Sequence, residues 1–362
     1  MSVTVDQTAA LERLARCPCC AAERIDPLPV GNLNSRDPRR AQQLREHLGD
    51  DWFLRQRVAV CAACGLVFQD VRPTRDALQS LYDHFATAVA KVVPTPATAV
   101  HYLLVDNPQD YVHGAAKALA FLDRIGATDG VCSVLELRTY GGGLAALLRE
   151  RGVEHVEAAC LSEFDAAMAR EIYGLDRLTP FSFAAPIEEL AVQRERYDLI
   201  VAYEGLTHSR DPRGFVRWIA EHLAPGGRAV LMREPNTPEY RRILPLDMVF
   251  NNFHMNLLTP ATARALVARE TTLGCRLYPD FHPAYPYALY LNVVIGDTAV
   301  AQEDVPHDGR DHPLDWWMSW IRWEQRPALS ALVRVRRAGG RVGAPVKAAL
   351  GRELRGLRRP PR

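Results

Sequence analysis

The chain has 362 residues, a formal net charge of +1, 48% hydrophobic residues and 24% charged residues. That length suits two domains or one domain with additions, and the near-zero charge excludes a whole-surface preference for nucleic acid or acidic partners. No apolar run reaches the roughly 18 residues of a membrane span, and the opening MSVTVDQTAALERLAR lacks the basic and apolar regions of a signal peptide.

The first landmarks are cysteines. Cys17 and Cys20 form one C-x-x-C, and Cys61 and Cys64, followed by Gly65, form another. A tight turn between two cysteines points both sulfurs the same way, so each pair can hold one side of a tetrahedral ion. Four thiolates make a closed, structural zinc site. The gap of about 40 residues between the pairs exceeds the more common spacing of roughly 15–20. The intervening Ala21–Val60 stretch is charged and reads as a helical excursion. Cys19 is a spare thiol beside the first pair. A redox C-x-x-C and unrelated buried thiols are the alternatives. Paired cysteines of this kind suit a reducing, cytoplasmic setting.

Leu66–Asp70 follows as a short strand, and Pro73 and Thr74 start a helix over Ala77–Phe85. Residues 86–110 are rich in Ala, Val, Pro and Thr without a clear period and read as a linker or a cover over a site. Tyr111–Ile125 carries apolar residues at helical spacing (Val112, Ala115, Ala116, Leu119, Leu122).

From residue 131 strands and helices alternate. Strands are expected at Val131–Leu137, His155–Cys160, Tyr197–Tyr203, Arg228–Arg233, Arg276–Tyr278 and Tyr287–Ile295. Helices are expected at Gly142–Arg151, Glu163–Tyr173, Arg213–Leu223 and Thr259–Thr272. This alternation predicts an α/β fold with a doubly wound parallel sheet, whose ligands bind at the carboxyl ends of the strands. The first unit runs from Ser133 through the glycine cluster Gly141, Gly142 and Gly143 to Cys160. Glycines let backbone approach a ligand, and the helix start offers free N–H groups. A tight turn under purely structural constraint has the same sequence.

The order V-L-E-L…G-G-G, Y-D-L-I-V-A-Y-E-G-L-T-H-S-R-D-P, L-A-P-G-G-R-A-V-L and H-M-N-L-L-T-P resembles the class I S-adenosylmethionine-dependent methyltransferases. With the C-x-x-C…C-x-x-C-G-L-V-F start, it is similar to the subgroup with an N-terminal zinc module, which includes deoxysugar C-methyltransferases. The resemblance covers roughly residues 15–300. It implies a Rossmann-like methyltransferase sheet with an N-terminal zinc-binding module, to which the composition beyond residue 300 adds a basic helical C-terminal tail. The expected divisions are 1–75 for the zinc module, 76–125 for a helical linker and substrate cover, 126–300 for the methyltransferase domain and 301–362 for the extension. It also implies S-adenosylmethionine as cofactor, held by Glu136, the three glycines, Cys160, Glu204 and His208, and a small-molecule substrate.

Two places depart from that family. Its first loop has an acidic residue followed by G-x-G-x-G. Here Glu136 supplies the acid, but Arg138 and Tyr140 stand at the first two glycine positions and only Gly142 is kept. Its second strand ends in an acidic residue that accepts from the ribose hydroxyls, and here Cys160 takes that place, a poor acceptor. Losing such an acceptor costs about 1–3 kcal/mol.

The resemblance also points to His254, in F-N-N-F-H-M-N-L-L-T-P, as the base, since an imidazole titrates near working pH. Phe253 stands where the family often has Glu. A polar residue holding a loop is the alternative for His254. For His208 the alternatives are a ligand contact and support for the helix begun at Asp211-Pro212. Tyr82 lines the substrate pocket or sits in a core. Beyond Asp315, W-W-M-S-W-I-R-W and an arginine-rich run read as a basic amphipathic tail. It suits an anionic membrane surface, an anionic ligand or a protein partner, or packs on the domain with a solvated face. No nucleic-acid motif accompanies it. Two functions stay open: a small-molecule methyltransferase, and a methyltransferase-like protein with an eroded cofactor site that serves as a binding partner.

Overall fold

The computed structural model describes residues 3–4, 10–30, 38–49, 51–92, 112–139, 141–240, 250, 252–280 and 289–296. The tail from Asp315, Tyr140 and most of the 86–110 linker lie outside the described residues. Residues Met1–Leu314 form one compact unit. No helix among the described residues is long and apolar enough to cross a membrane.

The chain opens with an antiparallel sheet of β1 (Val3–Thr4), β2 (Leu11–Leu14), β3 (Ile25–Pro27), β4 (Arg57–Cys61) and β5 (Val67–Pro73), in the order β1-β2-β5-β4-β3. Helix α1 (Pro38–Leu48) lies between β3 and β4 in the chain, and α2 (Arg75–Val92) follows β5. The expected helical insert is therefore part strand, because Ile25–Pro27 finds a partner in Ala59–Cys61. The expected Ala77–Phe85 helix extends to Val92.

After α3 (Val112–Arg124) come β6 (Ser133–Leu137), α4 (Gly143–Glu150), β7 (His155–Cys160), α5 (Glu163–Tyr173) and β8 (Leu178–Pro180). Then follow β9 (Tyr197–Tyr203), α6 (Gly205–His208), α7 (Pro212–His222), β10 (Leu223–Pro235) and α8 (Thr237–Tyr240). The last elements are β11 (Asn256–Leu257), α9 (Pro260–Glu270), β12 (Gly274–Asp280) and β13 (Tyr290–Gly296). The second sheet has the order β12-β13-β10-β9-β6-β7-β8. β6 is buried throughout and pairs in parallel with both β7 and β9, as expected of a central strand covered on both faces. The helices start on chemical signals. Ser162 accepts from Asp165 N, Asp211 from Gly214 N, and Thr259 and Thr262 form a reciprocal capping box.

The expected all-parallel sheet needs one correction. β13 runs antiparallel to both β10 and β12. Only residues 281–289 join β12 to β13, too few for the dozen or more that a parallel crossover requires.

The two sheets are not separate bodies. Leu14, Cys61 and Phe68 share one hydrophobic core with Leu135, Phe215 and Leu266. β11 adds to the N-terminal sheet, pairing Asn256 with Phe68. The buried Asn256 amide donates to the carbonyls of Leu206 and Ser209, both at 2.8 Å. Asn256→Ala strands both buried carbonyls and should cost about 2–3 kcal/mol, read as a lower urea midpoint at unchanged slope.

Candidate functional site

Glu136 sits in β6 and is 2% exposed. Its carboxylate accepts from Ala145 N at 2.9 Å, one of the orphan donors at the start of α4. Thr139 Oγ1 accepts from Gly142 N at 2.8 Å. Burial pushes the Glu136 carboxyl up to about 7, against the hydrogen bonds from Ala145 and Thr139. Its role is to tie the strand to the helix across the turn.

Gly141 and Gly142 have φ of +69° and +86°, which favours glycine. A Cβ on Gly141 would lie 2.7 Å from Met168 Cε, and one on Gly142 2.7 Å from Leu175 Cδ1. Side chains on and just beyond α5 therefore fill the space beneath these two glycines. Gly143 is the first residue of α4.

Arg138 leaves β6 with φ +57° and Glu204 leaves β9 with φ +49°. The Arg138 guanidinium donates to Glu204 Oε2 at 2.6 Å and to the Tyr203 carbonyl at 3.3 Å, and lies 5.8 Å from the Phe183 ring centre. Glu204 Oε2 also lies 3.3 Å from His208 Nε2. The His208 Nδ1 and the Tyr82 hydroxyl are 3.0 Å apart, and the His208 and His254 rings meet edge to face at 5.1 Å. Burial acts to raise the Glu204 carboxyl, but Arg138, His208 and His254 together hold it well below the carboxylate range. Burial, with Arg138 beside it, lowers His208 to about 3 despite Glu204. At neutral pH an ionised Glu204 thus faces a neutral imidazole.

Two elements hold this cluster. Glu234 of β10 accepts from Leu206 N, Thr207 N and Thr207 Oγ1 at 2.7–3.0 Å, fixing α6 and with it His208. The half-buried His254 belongs to the loop before β11. Its carbonyl accepts from Gln69 Nε2 at 2.9 Å, and Met255 N donates to the Thr207 carbonyl at 2.8 Å. Tyr82 arrives on α2, with its ring 5.0 Å from that of Phe253.

Cys160 ends β7, as the sequence register required, and is buried. Burial, then Asp165 and Glu136, push its thiol up to about 12, so it stays protonated. Glu157 is no substitute. It is fully buried and accepts from Thr179, Tyr197 and Gln193. Glu163 opens α5 and pairs with Arg170 at 2.9 Å. Beside Cys160 lies a cavity of about 350 Å³, lined in part by Ser162, Ala166, Thr179, Phe181 and Ile187.

The four paired cysteines converge. Cys17 and Cys64 sulfurs are 3.6 Å apart, those of Cys20 and Cys61 3.4 Å, and all four lie within 4.8 Å of one another. Cys61 to Leu66 is a tight turn, with Gly65 N donating to the Cys61 carbonyl at 3.0 Å. The gap between pairs is spanned by β3, α1 and β4, which bring them together. Cys19 is buried beside them.

Sequence reasoning marked Arg138 only as a departure at the glycine turn. Its pairing with Glu204 was not legible, nor was Phe183 beneath it. The L-T-H segment and the acid at the end of β9 were the available signals.

Residues 109–270 match the family model described as a methyltransferase domain. A ubiquinone biosynthesis O-methyltransferase from Bordetella avium is 33% identical over 96 residues, spanning 26% of this chain and 39% of that protein. An S-adenosylmethionine-dependent methyltransferase from Mesorhizobium loti is similar at 18% identity and TM-score 0.38, over 47% of this chain and 92% of that one. The Synechocystis magnesium protoporphyrin IX methyltransferase is similar at 14% identity and TM-score 0.37, over 51% and 80% of the two chains.

The residues fit S-adenosylmethionine, the cofactor that the sequence resemblance implies, only in part. The cavity at the end of β7 has the size of a small-molecule site, with apolar side chains beside Gln79, Glu163 and Arg170. Arg138 crosses from the first loop to the end of β9, Met168 fills the space under Gly141, and Cys160 offers a protonated thiol to any ribose. This arrangement does not fit the methionyl half.

Glu136 also sets a pH dependence. Its ordinary value is 4.5 and its folded value about 7. The native state therefore holds its proton more tightly, and this contribution to stability is present below 4.5 and lost as pH rises through 7. Glu136→Gln should remove that share, on the order of 3 kcal/mol, flattening stability between pH 4.5 and 7 in urea titrations at several pH values.

Proposed function

We propose that this chain is a methyltransferase acting on a small molecule of the nucleotide-linked sugar, polysaccharide or natural-product kind, with its chemical centre at Glu204, His208 and His254. The observation that carries this reading is the convergence of those three side chains, with Tyr82, around the carboxyl end of β9. That is where open α/β sheets bind ligands. S-adenosylmethionine, when bound, supplies an electrophilic methyl group. His254, whose backbone is clamped between Gln69 and Thr207, takes the acceptor's proton in this reading. Glu204 stays ionised, matched by Arg138, and His208 neutral. The Bordetella relative's O-methyltransferase name supports a small acceptor, and its overlap of 96 residues leaves the acceptor's identity to experiment.

The second reading is a methyltransferase-fold protein that binds a partner or ligand without methyl transfer. The Arg138–Glu204 pair favours it. Calorimetric titration with S-adenosylmethionine separates the two. Binding in the micromolar range supports transfer, and no heat at millimolar cofactor removes it. Arg138→Gly combined with Cys160→Asp opens the loop and restores a ribose acceptor. Each change should tighten cofactor binding by roughly tenfold or more, since one acceptor alone is worth about 1–3 kcal/mol.

We further propose that Cys17, Cys20, Cys61 and Cys64 hold a structural zinc ion. Sulfurs 3.4–3.6 Å apart are close to the spacing of thiolates about 2.3 Å from a shared tetrahedral zinc. Elemental analysis should find one zinc per chain, lost in Cys61→Ser, and chelation should lower the melting temperature because metal affinity is folding energy.

A further inference from the structure

His208 occupies an unusual position. It is 4% exposed, and its Nε2 is buried without a hydrogen-bond partner, although Glu204 Oε2 lies only 3.3 Å away. The distance suits a hydrogen bond but the direction does not. At the other side of the ring, Nδ1 sits 3.0 Å from the Tyr82 hydroxyl. When Nδ1 carries the proton and donates to Tyr82, Nε2 presents a lone pair to a carboxylate oxygen. In that tautomer two acceptors face each other in a largely buried site, and that arrangement calls for a cation between them.

The geometry of a metal site follows from the same atoms. Donor atoms of Glu204, His208 and His254 all lie within 4.8 Å of one another. Two ligands about 2.1 Å from one ion, at octahedral or tetrahedral angles, are roughly 3.0–3.4 Å apart, and the Glu204–His208 separation of 3.3 Å falls in that range. Two imidazoles and one carboxylate form a donor set suited to manganese, iron, cobalt or zinc, with positions left open for a ligand. The outer contacts agree with this use. Tyr82 pairs with His208 Nδ1 at 3.0 Å, which leaves Nε2 as the ring atom toward Glu204, and Arg138 holds the Glu204 carboxylate in place by donating to its Oε2 at 2.6 Å, as partners of metal ligands commonly do. The Arg138 charge also weakens cation binding, so the site is of modest affinity.

We infer that Glu204, His208 and His254 form a divalent transition-metal site, separate from the four cysteines, whose open positions take an oxygen donor of the small-molecule substrate. This rests on the reading of that cluster as the chemical centre. With the ion bound, His254 is a ligand, and the cation takes over the task of lowering the pKa of a bound hydroxyl.

The test uses full-length, zinc-loaded protein titrated with Mn2+, followed by loss of the free-ion electron paramagnetic resonance signal. Filled cysteine sites do not compete for this ion. One Mn2+ per chain is expected, with affinity lowered at least about tenfold in Glu204→Gln and in His254→Ala, since even partners behind the ligands are worth roughly 10–100-fold. His254→Gln replaces His254→Ala if the latter does not fold. No Mn2+ bound at millimolar concentration, or binding retained by either the Glu204 or the His254 variant, overturns the inference. The readout requires neither S-adenosylmethionine nor an acceptor. Cofactor binding without Mn2+ binding rejects the metal site alone, and Mn2+ binding without cofactor binding rejects methyl transfer alone.

Discussion

The largely but not fully buried ion pair between Arg138 and Glu204 is the constraint on which the site depends. It joins the ends of two adjacent parallel strands, where Leu137 pairs with Ala202. Both residues turn out of their strands in the left-handed region, at a cost of about 1–3 kcal/mol each for a side chain other than glycine. Such a cost persists only where the surroundings over-determine the conformation. Here Glu204 N donates to the Met232 carbonyl at 2.8 Å, and the His208 N–H donates to the Glu204 carbonyl at 3.0 Å. A buried pair adds little net stability against an apolar replacement, but a single buried charge left behind is expensive. The pair therefore resists piecemeal loss.

Buried acids carry much of the local order around that pair. Glu136 anchors α4 and Glu234 anchors α6, each by accepting from backbone N–H groups at a helix start. Burial raises both carboxyls to about 7. These side chains spend their acceptors on the protein's own backbone. Glu204 differs because its charge is matched by a side chain reaching over from another strand, which leaves its remaining lone pairs directed at histidines.

The N-terminal sheet contributes to the same place from the other side. β5 presents Gln69 to the His254 loop, and β11 completes the sheet. Gln56, Gln69 and Asn252 form a buried amide chain, while Arg72 and Arg210 share Glu12 at 2.6 Å each. The cysteine cluster sits at the turn that leads into β5, so a metal held there, as proposed, would act on the site by fixing that sheet.

Much of the architecture was legible in the sequence because it is local. Tyr197–Tyr203, His155–Cys160 and Glu163–Tyr173 have the bounds their apolar patterns and capping residues indicate. The C-x-x-C spacing indicated paired sulfurs. The short strands Leu11–Leu14, Ile25–Pro27 and Asn256–Leu257 were not legible, since two to four residues carry no period and gain identity only from a partner. The glycine turn reads as a ligand cradle in sequence, whereas in the fold Met168 and Leu175 close on it. The sequence alone determined which residue types stand at the strand ends, including Arg138 for a glycine and Cys160 for an acid. Only the tertiary structure decided that Arg138 meets Glu204 and that His254 meets His208, because residues 66 and 46 positions apart are joined by strand order and loop docking, which local spacing does not encode.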